Sequence, residues 1–311
     1  MVEHLFNSDT IDYINVNDLS PLFNHDVHPP SLREGILKKI RKVSLVISHC
    51  DYPLDWIERF TAGFESIIDK VWVFTKCNQN VTGAPPESQI IPLPNVGRCD
   101  HSYAYWLYHF FPEMDEKDAS DQIVVFMKDA DYMLPYWGDR NFGDMLSLAV
   151  SNGLGCMKIN WIASVLHNYD MVRLMRWYGV GHVKAEGRGG DENVVPFKNA
   201  EFEDIGEWVD KLQLGPIFDT KNLVSICYGG FFAATHVRIA KQPKRVWEAL
   251  EKSLSRGDSI VEGHYAERIW GCLLSKPISN ETAVAIVDKN FNTEYGNFPI
   301  RGMIYQQEVQ M

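Results

Sequence analysis

The segment from Asp121 to Asp131, DQIVVFMKDAD, constrains the fold of this chain more than any other segment. Its apolar run, residues 123–127, has the length and β-branched content of a strand that is buried on both faces. The carboxylates of Asp129 and Asp131 follow this strand directly. Ligands of open α/β sheets bind beyond the carboxyl ends of the strands. We therefore expect a functional site here, with both aspartates exposed at the strand end.

This Asp-x-Asp pair offers hard oxygen ligands, which suit Mg²⁺ or Mn²⁺. These ions keep several waters and bridge to substrate phosphates, so a bound nucleotide diphosphate would complete the site. The pair alone is a weak pattern, because two aspartates in a turn can simply cap the next segment. The preceding apolar strand leaves the metal site and the capping turn both open as alternatives.

Composition limits the classes of partner. A net charge of −11 and a pI near 5.4 argue against a protein that mainly binds nucleic acid or anionic lipid, because both need a basic surface. With 311 residues, 45% of them hydrophobic, the chain can bury a large core, and we favour one α/β domain over two. The predicted organisation is an N-terminal arm at 1–40, a catalytic domain at 41–290 and a C-terminal tail at 291–311.

Cysteine usage and the absence of targeting segments bear on localisation. The cysteines show no Cys-x-x-Cys spacing, and several lie in or beside apolar segments, so we interpret them as free thiols in a reducing compartment. This spacing argues against a zinc site and a disulfide framework. The even number of cysteines would nevertheless leave disulfide pairing open in a secreted protein. No signal peptide or membrane span is visible, which predicts a cytoplasmic protein. The cysteines are Cys50, Cys77, Cys99, Cys156, Cys227 and Cys272.

Strands and helices alternate in the first part of the domain. A strand at 43–48, an amphipathic helix at 54–68 and a strand at 71–75 form a βαβ unit. We therefore expect an α/β fold with a single, mainly parallel twisted sheet flanked by helices. A Pro-interrupted strand at 89–93 should lie near the edge of that sheet.

The loop after the first strand carries three candidates for binding a nucleotide base or ribose, His49, Asp51 and Tyr52. A turn ordered by Asp51 and Pro53 is the alternative. These residues matter because the loop after the first strand of such a sheet usually faces the ligand.

A second candidate, Arg98, follows Gly97 at the start of a helix that should run through residues 105–110. Asp100 or Ser102 can cap this helix. A guanidinium beside a helix N-terminus suits a phosphate or a carboxylate, and a salt bridge to one of the chain's many acids is the alternative role of Arg98.

The second half of the chain is predicted to contain a helix at 141–150, strands at 156–160 and 224–234, and a helix at 236–255. Gly229 and Gly230 interrupt the second of these strands, which indicates that something approaches the backbone closely. The segment 187–192 is rich in Gly and charge, which is typical of a loop that closes over a site or of a plain surface insertion.

Glu262, His264 and Glu267 follow in the segment EGHYAERIW. Each carboxylate is a candidate general base, and His264 is a candidate further metal ligand. The structural alternative is that Glu267 pairs with Arg268 inside the core, where Trp270 should also lie.

Three motifs resemble an uncharacterised domain family found mostly in fungi and algae: Asn95-x-Gly97-Arg98 with Tyr103 downstream, Gly230-Phe-Phe-Ala with Ile239 and Pro243, and Glu262-Gly-His264-x-x-Glu267-Arg268-x-Trp270. The resemblance spans roughly 43–275. It implies little chemistry, because the activity of that family is not established. Members usually carry Glu where this chain has Cys99, and a Gly/His-type segment where it has residues 128–131.

The order of elements is also similar to that of GT-A-fold nucleotide-sugar glycosyltransferases, which have a Rossmann-like nucleotide-binding half. Those enzymes place Asp-x-Asp at the end of a central strand, then a Gly-containing strand and an acidic residue on a later helix. The resemblance implies that Asp129 and Asp131 hold Mn²⁺ or Mg²⁺ and the diphosphate. It further implies donor contacts from Arg98, Lys128, Gly229 and Gly230 and, if the reaction inverts the sugar, a base from Glu262 or Glu267.

Our first hypothesis is therefore a metal-dependent glycosyltransferase with a nucleotide-sugar donor and a glycan or other hydroxyl acceptor. A nucleotidyltransferase or phosphoesterase using the same pair is an alternative, but the Gly-rich phosphate loop that it should show after the first strand is missing. The third hypothesis is a catalytically inactive or binding domain. In that case Arg98, Glu262 and Glu267 form a buried structural network.

Overall fold

The computed structural model describes residues 14–15, 35, 37–112, 119, 121–131, 141–157, 159–163, 201–202, 205–214, 223–258 and 260–276. Their strands are β1 Ile14–Asn15, β2 Lys42–His49, β3 Ile68–Thr75, β4 Gln89–Pro92, β5 Gln122–Lys128, β6 Leu154–Cys156, β7 Ile159–Ala163, β8 Leu223–Cys227 and β9 Phe232–Thr235. Their α-helices are α1 Trp56–Phe60, α2 Arg98–His109, α3 Phe142–Asn152, α4 Ile205–Lys211, α5 His236–Ala240, α6 Lys244–Leu254 and α7 Val261–Leu274. The predicted loop 187–192, the tail 291–311 and most of the arm 1–40 lie outside the described residues.

A six-stranded mixed sheet in the order β4-β3-β2-β5-β9-β6 forms the centre of the fold. The strands β4, β3, β2 and β5 are parallel, β9 is antiparallel to β5, and β6 is antiparallel to β9. The predicted α/β class, the mainly parallel character and the edge position of β4 are confirmed. Because β5 lies between β2 and β9 and residues 123–127 are almost fully buried, its prediction as a central strand is also confirmed.

Helices cover both faces of this sheet because side chains alternate along each strand. On β5, Val124 and Phe126 pack into a core with residues of α2, α6 and α7. Val125 and Met127 belong to a second core with residues of α1 and α3. Polar side chains are thereby excluded from the middle of the strand and collect at its ends.

A second, antiparallel sheet in the order β1-β7-β8 was not predicted. The expected strand 156–160 is divided between β6 in the main sheet and β7 in the small one, and the expected strand 224–234 is divided between β8 and β9. The physical reason for the second division is a turn at residues 228–230. Gly229 and Gly230 have φ of 86° and 73°, a left-handed backbone that ends the extended chain.

Two predicted helices are also shorter in the structure. The helix expected at 54–68 ends as α1 at Phe60, because Gly63 adopts a left-handed φ of 85°, and β3 begins at Ile68 after a short 3₁₀ turn. The helix expected at 236–255 is two helices, α5 and α6, with Pro243 at the N-cap of α6. A proline at this position has no N–H to continue the preceding helix.

The prediction of six free thiols is wrong. Cys50 and Cys77 form a disulfide between the loops that follow β2 and β3, and Cys156 and Cys227 form a second one between the ends of β6 and β8. Cys99 and Cys272 are free. The paired cysteines are 27 and 71 residues apart in sequence, so only the strand arrangement brings them together. The inference of a reducing compartment thereby loses its basis.

Within the described ranges, the structure contains no helix that is long and apolar enough to cross a membrane.

Candidate functional site

Asp129 is buried, with only 7% of its surface exposed, and is not the exposed carboxylate that the sequence predicts. Its Oδ2 accepts hydrogen bonds from the backbone N–H groups of Cys50, Asp51 and Tyr52, at 2.6, 2.8 and 3.1 Å. The indole of Trp56 donates to its carbonyl oxygen at 3.0 Å. Asp129 therefore orders the loop after β2 rather than the segment that follows it, which the capping alternative expected, and one of its carboxylate oxygens is fully occupied.

Asp131 lies two residues further along and is half-buried. Its carboxylate has no hydrogen bond or ion pair to the part of the chain that the structure describes. Of the two aspartates, Asp131 is therefore the one whose oxygens are available to a ligand.

The three candidates after β2 have different environments. His49 is 2% exposed, and its Nδ1 lies 3.3 Å from the Thr75 hydroxyl. Burial lowers the pKa of His49, although the carboxylates of Asp129 and Asp51 oppose that shift. Asp51 is exposed and Tyr52 is half-buried. Only the last two side chains are therefore placed to reach a ligand from solvent.

Arg98 begins α2 from an unusual backbone. Gly97 and Arg98 both have φ of 57°, and the ammonium of Lys76 donates to the carbonyl oxygens of Val96, at 2.5 Å, and of Arg98. The N-cap is Gly97, so the predicted cap by Asp100 or Ser102 is wrong. Both residues lie inside the helix, where the Ser102 hydroxyl bonds the Ser48 hydroxyl at 3.0 Å.

The guanidinium of Arg98 lies against α7. Its Nη1 is 2.7 and 2.8 Å from the two ring nitrogens of His264. Gly263 leaves room for this approach, because a Cβ there would be 3.2 Å from Arg98 Cδ, a tight contact. His264 is 1% exposed and faces a cation, which is a poor environment for a second cation such as a bound metal.

A cluster of charges lies behind Arg98, around Glu267 and Lys128. Glu267 accepts from the Gly229 N–H at 2.7 Å and from Arg268 Nη1 at 3.0 Å. Burial raises the pKa of Glu267, but the cations Arg268, Arg98 and Lys128 and the Gly229 hydrogen bond outweigh it, so the net pKa is lowered. The carboxylate is therefore ionised and both of its oxygens are engaged.

Lys128 also keeps its charge. Burial and the neighbouring Arg98 cation disfavour its ammonium form, but the neighbouring Cys99, Glu267 and Asp100 outweigh that cost, and the pKa of Lys128 is raised. A Cβ on Gly230 would be 2.9 Å from Cys99 Sγ and 3.0 Å from Lys128 Cε. The predicted close approach to a glycine backbone is thus present at Gly230.

Glu262 belongs to a different environment. It is 1% exposed, and both of its oxygens accept from Arg256 Nη2, at 2.7 and 2.8 Å. This ion pair gives Glu262 a structural partner and leaves neither oxygen free to act as a base.

The three predicted metal ligands, Asp129, Asp131 and His264, do not form a cluster. Among the described residues, the group whose ligand atoms lie within 4.8 Å of one another consists of Cys50, Asp51 and Cys77. Its two sulfurs are joined as a disulfide, so the group offers no Mn²⁺ or Mg²⁺ site.

Sequence reasoning missed Lys76 and the site role of Asp100. Lys76 is 4% exposed, and burial lowers its pKa to about 8 against the opposing effect of Cys99, Asp258 and Asp100. Burial raises the pKa of Asp100 to about 6, and the Trp270 indole donates to it at 2.8 Å. Lys76 follows β3 as Asp129 follows β5, so the same strand-end rule would have found it.

The fold and these contacts define an α/β protein with a charged cluster at the carboxyl ends of its parallel strands. Comparisons with protein-family models, with curated proteins and with solved structures found no match to this chain. Both family resemblances therefore stay predictions.

Proposed function

We propose that this chain is a metal-dependent glycosyltransferase of the GT-A type, which transfers a sugar from a nucleotide-sugar donor to a glycan or another hydroxyl acceptor. The observation that carries the proposal is the available carboxylate of Asp131 beyond the carboxyl end of β5. Lys128 is the last residue of that strand, and Arg98 is a second cation that influences the same carboxylate, Glu267. A diphosphate bridged by Mn²⁺ or Mg²⁺ needs both an oxygen ligand for the metal and cations for its remaining charge.

In this proposal the two aspartates have different roles. Asp131 is the metal ligand, because its oxygens have no partner in the described part of the chain. Asp129 positions the loop at residues 50–52 through three backbone hydrogen bonds. The side chains of Asp51 and Tyr52 on that loop would then face the nucleoside, beside the diphosphate.

The positive charge comes from Arg98 and Lys128, which both influence the pKa of Glu267. Glu267 holds them in place as an ionised counter-charge. Because the oxygens of Glu267 and Glu262 are all engaged, we assign neither carboxylate as the base that deprotonates the acceptor.

The test is a thermal-shift screen of the full chain against nucleoside diphosphates and nucleotide sugars, with and without Mn²⁺. A ligand at 100 times its Kd adds about 2.7 kcal/mol to the free energy of unfolding, which shifts Tm by several degrees. We expect one nucleotide to stabilise the protein only with Mn²⁺ and Asp131→Asn to abolish that shift. Asp69→Asn, an exposed carboxylate on β3, is the matched control and should retain it.

Release of the nucleoside diphosphate from the donor that binds should then require the same metal and Asp131. A shift that is independent of metal and unchanged in Asp131→Asn would contradict the metal role. No shift with any nucleotide, from a folded protein, would favour the binding or structural alternative.

A further inference from the structure

The loops that follow β2 and β3 bring two sulfurs and one carboxylate together. The ligand atoms of Cys50, Asp51 and Cys77 lie within 4.8 Å of one another, although Cys77 is 27 residues from Cys50 in sequence. Parallel pairing of β2 with β3 explains this, since both strands end at the same edge. The group is thus fixed by the main sheet.

This group is accessible from solvent, in contrast to the second disulfide. Cys50 and Cys77 are half-buried and Asp51 is exposed, whereas Cys156 and Cys227 have no exposed surface. A reductant can therefore reach the first disulfide from solution. The Asp51 carboxylate has no hydrogen-bond partner among the described residues, so it is available to a ligand.

The ligand set selects the class of metal. Two thiolates with one carboxylate suit Zn²⁺, which is bound by Cys, His and Asp, whereas Mg²⁺ and Mn²⁺ prefer oxygen ligands alone. Three protein ligands leave the fourth tetrahedral position to water. This chemistry separates the group from the metal proposed at Asp131.

We propose that the Cys50–Cys77 disulfide is reducible and that the reduced pair, together with Asp51, binds one Zn²⁺. A dithiol reductant supplies two electrons and two protons, which break the S–S bond and give two thiols while the reductant forms its own disulfide. Zn²⁺ then displaces both thiol protons and binds the two thiolates and the carboxylate.

The backbone can accommodate both states. Two thiolates at about 2.3 Å from a tetrahedral Zn²⁺ lie about 3.8 Å apart, a separation that side-chain rotation can provide once the S–S bond is broken. The Cα atoms of Cys50 and Cys77 are 5.1 Å apart, and both residues lie in loops rather than within the strands. This inference does not depend on the proposed glycosyltransferase function.

The test compares two preparations of the full chain, one oxidised and one reduced with a phosphine. The phosphine is removed under anaerobic conditions before metal is added. Zn²⁺ is titrated in competition with a chromogenic chelator, and Cd²⁺ is titrated while thiolate charge-transfer absorbance is recorded. We expect one metal per reduced chain, with absorbance for two thiolates, and none for the oxidised chain. Cys77→Ser should lose the two-thiolate absorbance, and Asp51→Asn should keep it while Kd rises at least about tenfold.

Cys99→Ser is the matched control, because Cys99 is a half-buried free thiol outside the group, and it should bind like the unmodified chain. The reduced chain and its reduced variants all lack the Cys50–Cys77 disulfide. Circular dichroism is therefore recorded for each of them to check that it is still folded. The proposal is overturned if the reduced, folded chain binds no Zn²⁺, or if Cys77→Ser binds it with the same Kd and absorbance.

Discussion

Two regions of the main sheet, one around Glu267 and Asp129 at the carboxyl end and one around His236 at the amino end of β5, treat these buried ionisable groups in opposite ways. At the carboxyl end, Glu267 and Asp129 are each 7% exposed, and hydrogen bonds to their oxygens keep them in place. At the amino end of β5, where β9 ends and α5 begins, His236 is 3% exposed and neither ring nitrogen has a partner within the described residues. Its ring packs 5.1 Å from the ring of Phe111.

The difference shows in the ionisation of these groups. Surrounding cations lower the pKa of Glu267, so it stays charged, whereas burial lowers the pKa of His236 to about 4, so it stays neutral. Of these two groups, the one with partners around it keeps its charge and the one without partners stays neutral.

Removal of a charge from the carboxyl end should have the largest effect. Glu267→Ala leaves Arg268 and Lys128 without their counter-charge, and we expect it to lower the free energy of unfolding by about 3–5 kcal/mol. Urea denaturation measures this. Glu248→Ala, an exposed acid on α6, should stay within about 0.5 kcal/mol of the unmodified chain. A loss below about 1 kcal/mol for Glu267→Ala would mean that the cations do not need it.

A smaller effect is expected at Asp129, whose partners are backbone amides next to solvent and a disulfide. Asp129→Ala leaves three N–H groups without an acceptor and should cost about 2–3 kcal/mol, and Asp129→Asn should cost less because it keeps one oxygen. Hydrogen exchange at residues 50–52 should accelerate in the alanine variant. Asp51→Ala is the control, because it changes the same loop but keeps the Asp129 acceptor. Equal protection from exchange in Asp129→Ala, Asp129→Asn and Asp51→Ala would contradict the anchoring role of Asp129.

The amino end should respond to acid. The folded pKa of His236, about 4, lies below the 6.5 of an unperturbed histidine, so the unfolded chain takes up this proton first as pH falls from 6.5 towards 4. His236 therefore costs about 2 kcal/mol of stability at pH 5 relative to pH 7.5. His236→Phe should remove that part of the pH dependence in urea denaturation series, while His109→Gln, at an exposed histidine, should not.

Local patterns accounted for much of the main sheet. The apolar run 123–127 and the segment 43–48 identified β5 and β2 to within a residue or two, because strands buried on both faces have a continuous apolar sequence. Gly63 and Pro243 divided the predicted helices, since local backbone geometry at one residue overrides an amphipathic pattern around it. The small sheet was missed because its pairing is not local.

The sequence predicted where the candidate site lies, but it did not predict the roles of the individual residues in it. The strand-end rule found Asp129 and Asp131, the predicted helix N-terminus indicated Arg98, and the glycosyltransferase resemblance added Lys128. The structure separates them into a loop anchor, an available carboxylate and two cations. Glu262 looked equivalent to Glu267 in sequence, but Arg256 engages it elsewhere. Glu262 and Glu267 are only five residues apart, and the sequence does not indicate that each carboxylate has a different partner.

The sequence by itself determined the α/β class, the central strand and the edge at which charged residues collect, because hydrophobic periodicity follows directly from backbone geometry. Only the tertiary structure decided the two disulfides, the burial of Asp129 and the charge cluster around Glu267. These features depend largely on contacts between residues far apart in sequence, such as Cys50 and Cys77 at 27 positions and Cys50 and Asp129 at 79. Strand order and helix packing create such contacts, and no local pattern encodes them.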